Sequence, residues 1–211
     1  VMRDITYPVQ VALVVDVPGL EPERLILDIG EHVEQKDLAH LLGALVTKLH
    51  RALVQQQADD VGISFPQHVN APMAKRNLGS VLRLHGTQAA LNQLMSVDWL
   101  RGMRDHTQAS TVAAVPDGVQ HCLVQRRQFK TNAERLRRRR MRRKGETAEQ
   151  ATAAIPESVE RKPNLPYVQL RSSSTGEPFC LFVEHGGLQP IAIPGRFNSY
   201  GLSAGASVPW F

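Results

Sequence analysis

Between residues 126 and 144 the chain of 211 residues places nine arginines and two lysines against a single acid, Glu134. That segment carries a local charge of +10, while the other 192 residues carry 14 basic and 19 acidic groups. Positive charge is thus confined to one element of a mildly acidic body, which suits a protein that meets a polyanion through one surface. From Arg135 to Arg143 only Leu136 and Met141 are apolar, too few for a buried helical stripe. A basic run is ordinarily a solvated face or a tail. This one lies in mid-chain between strand-like stretches and uses arginine almost to the exclusion of lysine, and guanidinium forks meet phosphate or the guanine edge at two points. Arg135/Arg139, Arg138/Arg142 and Arg139/Arg143 are like charges four residues apart, each unfavourable by about 0.2–0.5 kcal/mol. A polyanionic partner relieves that repulsion, so nucleic acid is the expected partner class.

The other groups able to do chemistry are fewer. Eight histidines are present, and none has ligand spacing with Asp, Glu or Cys, so no metal or other cofactor is expected. Cys122 and Cys180 lie in strand-like stretches without CxxC spacing, which argues against a disulfide framework or zinc and suits a reducing cytoplasm. His50 falls one step off the Leu45/Leu49/Leu53 stripe, at the margin of a buried helical face. An imidazole titrates near neutrality and moves protons readily, although a lone helical histidine is more often a boundary residue. No apolar run approaches the roughly 18 residues of a membrane span, and the first residues lack the basic-then-apolar form of a secretory signal.

The elements that must position these groups follow from periodicity. Tyr7 to Asp16 reads as a strand and Pro18 to Lys36 as an inserted loop or ribbon. The stripe Leu38, Leu41, Leu42, Leu45, Leu49, Ala52, Leu53 predicts a helix with Asp37 as its N-cap. Val61–Phe65 and Ser80–His85 predict strands, Gln88–Met103 a helix and Thr111–Val115 a fourth strand. The order β-α-β-β-α-β is the ferredoxin-like pattern common among RNA-binding domains. Pro116-Asp117-Gly118 is a turn and the expected boundary between a domain of residues 1–118 and one of residues 119–211. Beyond it Val119–Gln128 predicts a strand, 132–143 a helix capped by Asn132, and Glu146–Ile155 a second short helix. Tyr167–Ser172, Phe179–Glu184, Arg196–Tyr200 and Ser207–Trp210 predict further strands. The expected class is α+β: an N-terminal ferredoxin-like domain and a C-terminal α/β domain that carries an arginine-rich RNA-binding helix.

Several blocks resemble one family. Arg126-Arg-Gln128, Thr131 through Arg143, Lys48-Leu-His-Arg-Ala-Leu-Val54, Val61-Gly-Ile-Ser-Phe-Pro66, Leu170-Arg-Ser-Ser-Ser-Thr-Gly176, Tyr200-Gly-Leu-Ser203 and Val208-Pro-Trp-Phe211 are similar, in order, to the repeat-processing endoribonuclease of I-F CRISPR immunity. The chain departs from that pattern at Ala133, where proline is expected, at Phe129, where a small residue is expected, and in the length of the stretch from Pro18 to Lys36. The resemblance implies His50, Ser172 and Tyr200 as catalytic residues: the imidazole moving protons, the serine placing the substrate 2′-OH, and the tyrosine orienting the imidazole. It implies that Arg126 and Gln128 read base edges at the foot of an RNA hairpin. Arg138, Arg139, Arg142 and Arg143 are then expected on phosphates and a guanine, and Phe179 stacked on the terminal base pair. Ser174 and Thr175 are turn residues able to hold phosphate. An A-form major groove is too deep and narrow for a helix, but a short stem ending in a loop leaves it open.

The implied reaction is cleavage of precursor CRISPR RNA at the base of the repeat hairpin, without metal, by the 2′-OH next to the scissile phosphate. Implied partners are the repeat RNA and, after cleavage, the other subunits of a type I-F surveillance complex, with no membrane and in the bacterial cytoplasm. Two rival readings are a non-catalytic RNA-hairpin-binding subunit of the same ribonucleoprotein and a DNA-binding or ribosome-associated basic protein. His50, Ser172 and Tyr200 argue against the first. The confinement of the arginines to one helix argues against the second.

Overall fold

The computed structural model describes residues 9–15, 31–129, 133–159 and 163–211. The chain is of the α+β class, with antiparallel sheets and four α-helices among the described residues. The first sheet is built on β1 (Val9–Val15), β2 (Gly62–Ser64), β3 (Val81–Gly86) and β4 (Thr107–Ala109), in the order β2-β3-β1-β4. The two-residue β5 (Ala113–Ala114) also pairs with β1. In the β1–β3 register Val11 faces Leu84 and Leu13 faces Leu82, and all four side chains are fully buried. Alternate positions of paired strands share a face, so this register gives the sheet one apolar side.

Two helices pack on β1 and on each other. The first, α1 (Glu31–Gln56), buries Leu42, Leu45, Val46, Leu49, Ala52 and Leu53 as its stripe requires. It begins at Glu31, so Asp37 lies inside it and is not its N-cap, and residues 31–36 belong to the helix rather than to a loop. Residues 31–36 hold a single apolar residue, Val33, so there is no stripe, which is why periodicity alone started the helix late. Residues 16–30 and the expected cap Asn132 lie outside the described residues. The helix ends with Gln57 at φ 52, Gln57 N donating to Val54 O and Ala58 N to Leu53 O, the paired bonds of a left-handed C-terminal cap.

The second helix, α2 (Gln88–Ser96), is capped by Thr87, whose side chain accepts from Ala90 N. It stops seven residues short of Met103. Val97 turns to extended geometry, and Leu100 and Met103 join the core from turns whose spacing imitates a helix. The fourth strand also falls earlier than expected, with most of its pairing at Thr107–Ala109.

The stretch Val119–Gln128 forms two strands, β6 (Gln120–Cys122) and β7 (Val124–Arg127). After them come α3 (Ala133–Lys144) and α4 (Ala148–Ala154), the latter with a complete Thr147/Gln150 capping box. The strands β8 (Tyr167–Arg171), β9 (Pro178–His185) and β10 (Val208–Trp210) complete the chain. β7, β9 and β8 make one small sheet, in that order, and β6 pairs with β10. Arg196–Tyr200 is not a strand: Asn198 Oδ1 accepts from the backbone of Tyr200 and Leu202, which closes a turn instead.

α1 also packs on β8. At Gly43 the carbonyl of Gln169 comes so close that a Cβ would sit 2.7 Å from it. Only glycine permits that approach, which brings the helix carrying His50 against the strand that leads into Ser172.

Candidate active site and nucleic-acid interface

Five elements converge on a cleft of about 500 Å³. α1 contributes Thr47, His50, Arg51, Val54 and Gln55. β7 and α3 contribute Arg126 and Arg135, the β8–β9 hairpin contributes Arg171, Ser172, Ser173 and Phe179, and the turn before β10 contributes Tyr200. Four guanidinium groups thus line the cleft, and none of the described residues lining it is acidic.

His50 is half-buried, and its Nδ1 lies 2.7 Å from the carbonyl oxygen of Ser199. A carbonyl only accepts, so Nδ1 carries the hydrogen, and in the neutral imidazole Nε2 is left with its lone pair. The Tyr200 ring lies flat against the imidazole, with centroids 4.0 Å apart and planes 7° from parallel. Tyr200 thus meets the histidine through its ring face. Arg126 also stands close, its guanidinium carbon 5.6 Å from the Tyr200 centroid and 5.9 Å from that of Phe179. Arg126 therefore lies over two aromatic faces in cation–π contact.

Ser172 sits where β8 ends. Its Oγ accepts from Thr175 N at 3.3 Å and lies 3.1 Å from Ser174 Oγ, while its backbone pairs with Glu177 and Gly176. Ser174 and Thr175 form the exposed tip of this hairpin beside the cleft rather than in its lining.

α3 has two faces. Its inner face holds buried Ala133 and half-buried Leu136, Arg137, Arg140 and Met141, and two of the arginines on it are structural. Arg137 Nε donates to Ile155 O at 2.8 Å, and Arg140 forms a two-point pair with Glu146, holding that carboxyl below the usual carboxylate range by direct hydrogen bonding. These contacts fasten α3 to α4, so apolar content alone understated the face that α3 buries. Arg138, Arg139, Arg142 and Arg143 lie exposed on the outer face, outside the cleft, where Arg138 approaches Glu134 at 3.8 Å. Gln128 is exposed just past the end of β7.

Of the residues singled out from sequence, the structure brings His50, Ser172, Tyr200, Arg126 and Phe179 together. Gln128, Ser174, Thr175 and the four outer arginines of α3 are exposed and do not line the cleft. Arg51, Arg135 and Arg171 line the cleft and were not singled out. Arg51 and Arg171 are sequence neighbours of His50 and Ser172, which is the signal that could have found them. Arg135 also faces Glu177 at 3.6 Å. Among the described residues no three His, Cys, Asp or Glu side chains gather as a metal site, and no helix is long and apolar enough to cross a membrane.

Fold and site define a mixed α+β protein in which an oriented imidazole opens onto a cleft lined with arginine, next to a helix with an arginine outer face. Residues 28–211 match the family described as CRISPR-associated protein (Cas_Csy4). Over 173 residues the chain is 46% identical to the CRISPR-associated endonuclease Cas6/Csy4 of Pseudomonas aeruginosa (strain UCBPP-PA14), covering 82% of this chain and 91% of that protein. It is 39% identical over 171 residues to the protein of the same name from Escherichia coli (strain UTI89 / UPEC), covering 81% and 90%. The chain belongs to the Cas_Csy4 family.

Proposed function

We propose that the protein is an endoribonuclease that cuts precursor CRISPR RNA at the base of each repeat hairpin. The observation that carries this is the convergence of His50, Ser172 and Tyr200 on one cleft lined by arginines. The two relatives named as CRISPR-associated endonucleases support the substrate and the reaction class.

The nucleophile is the RNA's own 2′-OH. His50 Nε2, freed by the Nδ1–Ser199 bond, takes the 2′-OH proton as the oxygen attacks phosphorus. The 2′-O–P bond forms, the bond to the departing 5′-oxygen breaks, that oxygen takes a proton from solvent, and the His50 imidazolium returns one to the solvent. The products are a 2′,3′-cyclic phosphate and a 5′-OH. Ser172 holds the 2′-OH, and the guanidinium groups of the cleft stabilise the charge that develops on phosphate. No step calls for a metal, because the base and the cations are side chains.

Recognition falls to the surroundings. Arg126 and Gln128 read base edges at the foot of the stem, and Phe179 stacks on the terminal pair. Ser174 and Thr175 hold phosphate beside the cut, and the outer arginines of α3 follow the RNA groove. The product stays bound and carries the protein into the surveillance complex in the bacterial cytoplasm. Residues 1–118 form a ferredoxin-like domain and residues 119–211 a second domain. The strand order β2-β3-β1-β4 supports the first, and the confinement of every strand pairing to one half supports the division.

The test is a denaturing gel of the protein with candidate repeat RNAs in excess EDTA. One cut at the base of a repeat hairpin is expected. Tight binding without cleavage would instead favour a non-catalytic hairpin-binding subunit.

A further inference from the structure

The carbonyl that fixes the His50 tautomer belongs to a turn with its own scaffold. Asn198 Oδ1 accepts from Tyr200 N at 2.9 Å and from Leu202 N at 3.2 Å, Asn198 N donates to Leu202 O, and Gly201 N donates to Asn198 O. One side-chain oxygen thus draws two backbone N–H groups inward, and Ser199 O is left facing His50. The turn is also fixed from outside. Ile63 N of β2 donates to Gly201 O at 2.8 Å, and Gly201 has φ +74 with its missing Cβ only 2.7 Å from Ile63 Cγ2. This is the left-handed position where glycine is required. The same turn supplies the Tyr200 ring that lies on the imidazole. Both groups holding His50, the carbonyl at its edge and the ring on its face, therefore come from adjacent residues of a loop ordered by Asn198.

We propose that Asn198 is a positioning residue for cleavage, which acts through the Ser199–Tyr200 turn to hold His50 in its Nδ1–H tautomer with Nε2 turned to the cleft. This rests on the reading of His50 as the proton acceptor. Asn198 lies outside the residues lining the cleft, so its replacement acts on the rate and not on RNA affinity. Asparagine is suited to the task because its amide oxygen reaches the N–H groups two and four residues on. Aspartate keeps that oxygen, and alanine removes it.

The test combines long-range ¹H–¹⁵N spectra of the histidine rings, with His50 assigned by its absence in His50→Ala, with single-turnover cleavage of the repeat hairpin and its Kd. In the wild type His50 should be protonated on Nδ1 at slightly alkaline pH. In Asn198→Ala the signal should shift towards a mixture of tautomers. The cleavage rate should fall roughly 10–100-fold, a part of the roughly 10²–10⁴ that a whole general acid–base group supplies. Hairpin affinity should stay within about twofold. Asn198→Asp should keep both the wild-type tautomer and most of the rate. Nε2-protonated His50 in the wild type overturns the proposal, as does a rate loss in Asn198→Ala with the tautomer unchanged, or equal losses in Asn198→Asp and Asn198→Ala. If Asn198→Ala does not fold, the wild-type tautomer and the Asn198→Asp rate still decide. Wild-type cleavage by His50→Ala would instead remove the reading of His50 itself.

Discussion

In His50 the Nδ1 hydrogen is held by a backbone carbonyl 149 residues away in sequence, which leaves Nε2 as the nitrogen with a free lone pair. That His50, Ser172 and Tyr200 would share a cleft was legible, because each lies in a block that resembles the family. The Ser199 carbonyl was not, because a main-chain oxygen has no residue signature and its partner is set by tertiary folding. Replacement of His50 by alanine should lower single-turnover cleavage by about 10²–10⁴, the usual cost of losing a general acid–base group. Hairpin affinity should change little, since the imidazole adds little to the charge interactions. A His50→Ala protein that cleaves at the wild-type rate would show that the proton moves elsewhere.

At the scale of elements, α3 was placed within a residue or two by its run of arginines. Its inner face was not legible. Arg137 and Arg140 find partners at Ile155 and Glu146, and nothing in a run of arginines distinguishes a packing guanidinium from one that faces solvent. This division predicts two kinds of variant. Replacing Arg139 or Arg142 should weaken hairpin binding and reduce its log–log salt slope by roughly 0.7–0.9 for each phosphate no longer neutralised. Replacing Arg137 or Arg140 should lower the Tm of the free protein, because α4 loses its fastening. Replacing Gln128 should relax preference at one base pair without changing the salt slope. Salt titrations and thermal melts separate the three cases. The misplaced end of α2 and the absent strand at Arg196–Tyr200 have a common cause. Leu100 and Met103 have helical spacing and Phe197 and Tyr200 are residue types common in strands, but the turn at Val97 and the side chain of Asn198 claim the backbone first.

For the whole molecule, the α+β class and the order of the first six elements were legible from periodicity alone. The single core that runs from the first sheet through α1 to β8 and β9 was not, because no local signal reports Gly43 against Gln169. That core encloses histidines with no part in the proposed chemistry. Fully buried His85 is pushed down to about 3 by desolvation, helped by nearby Arg83 and His121. His185 is also held at about 3, by desolvation and by His68 stacked on it with centroids 3.7 Å apart. Both remain neutral in the folded protein while their unfolded counterparts take up protons near 6.5. The unfolded state then binds more protons below that pH, so stability should fall as pH drops from 6.5 towards 3 and level off beyond. The slope is at most about 1.4 kcal/mol per pH unit for each histidine. Urea unfolding at successive pH values should show it, and His185→Phe should flatten it. The central claim, that the RNA supplies its own nucleophile, concerns protein and substrate together, and a single atom tests it. A repeat hairpin with one 2′-deoxy nucleotide immediately 5′ of the scissile phosphate keeps nearly all its phosphate and base interactions, so it should bind almost as the natural RNA does. It should remain uncut, while the natural hairpin yields a 5′-OH fragment and a 2′,3′-cyclic phosphate in excess EDTA. Cleavage of the deoxy hairpin would contradict the account, because an activated water would then be the nucleophile.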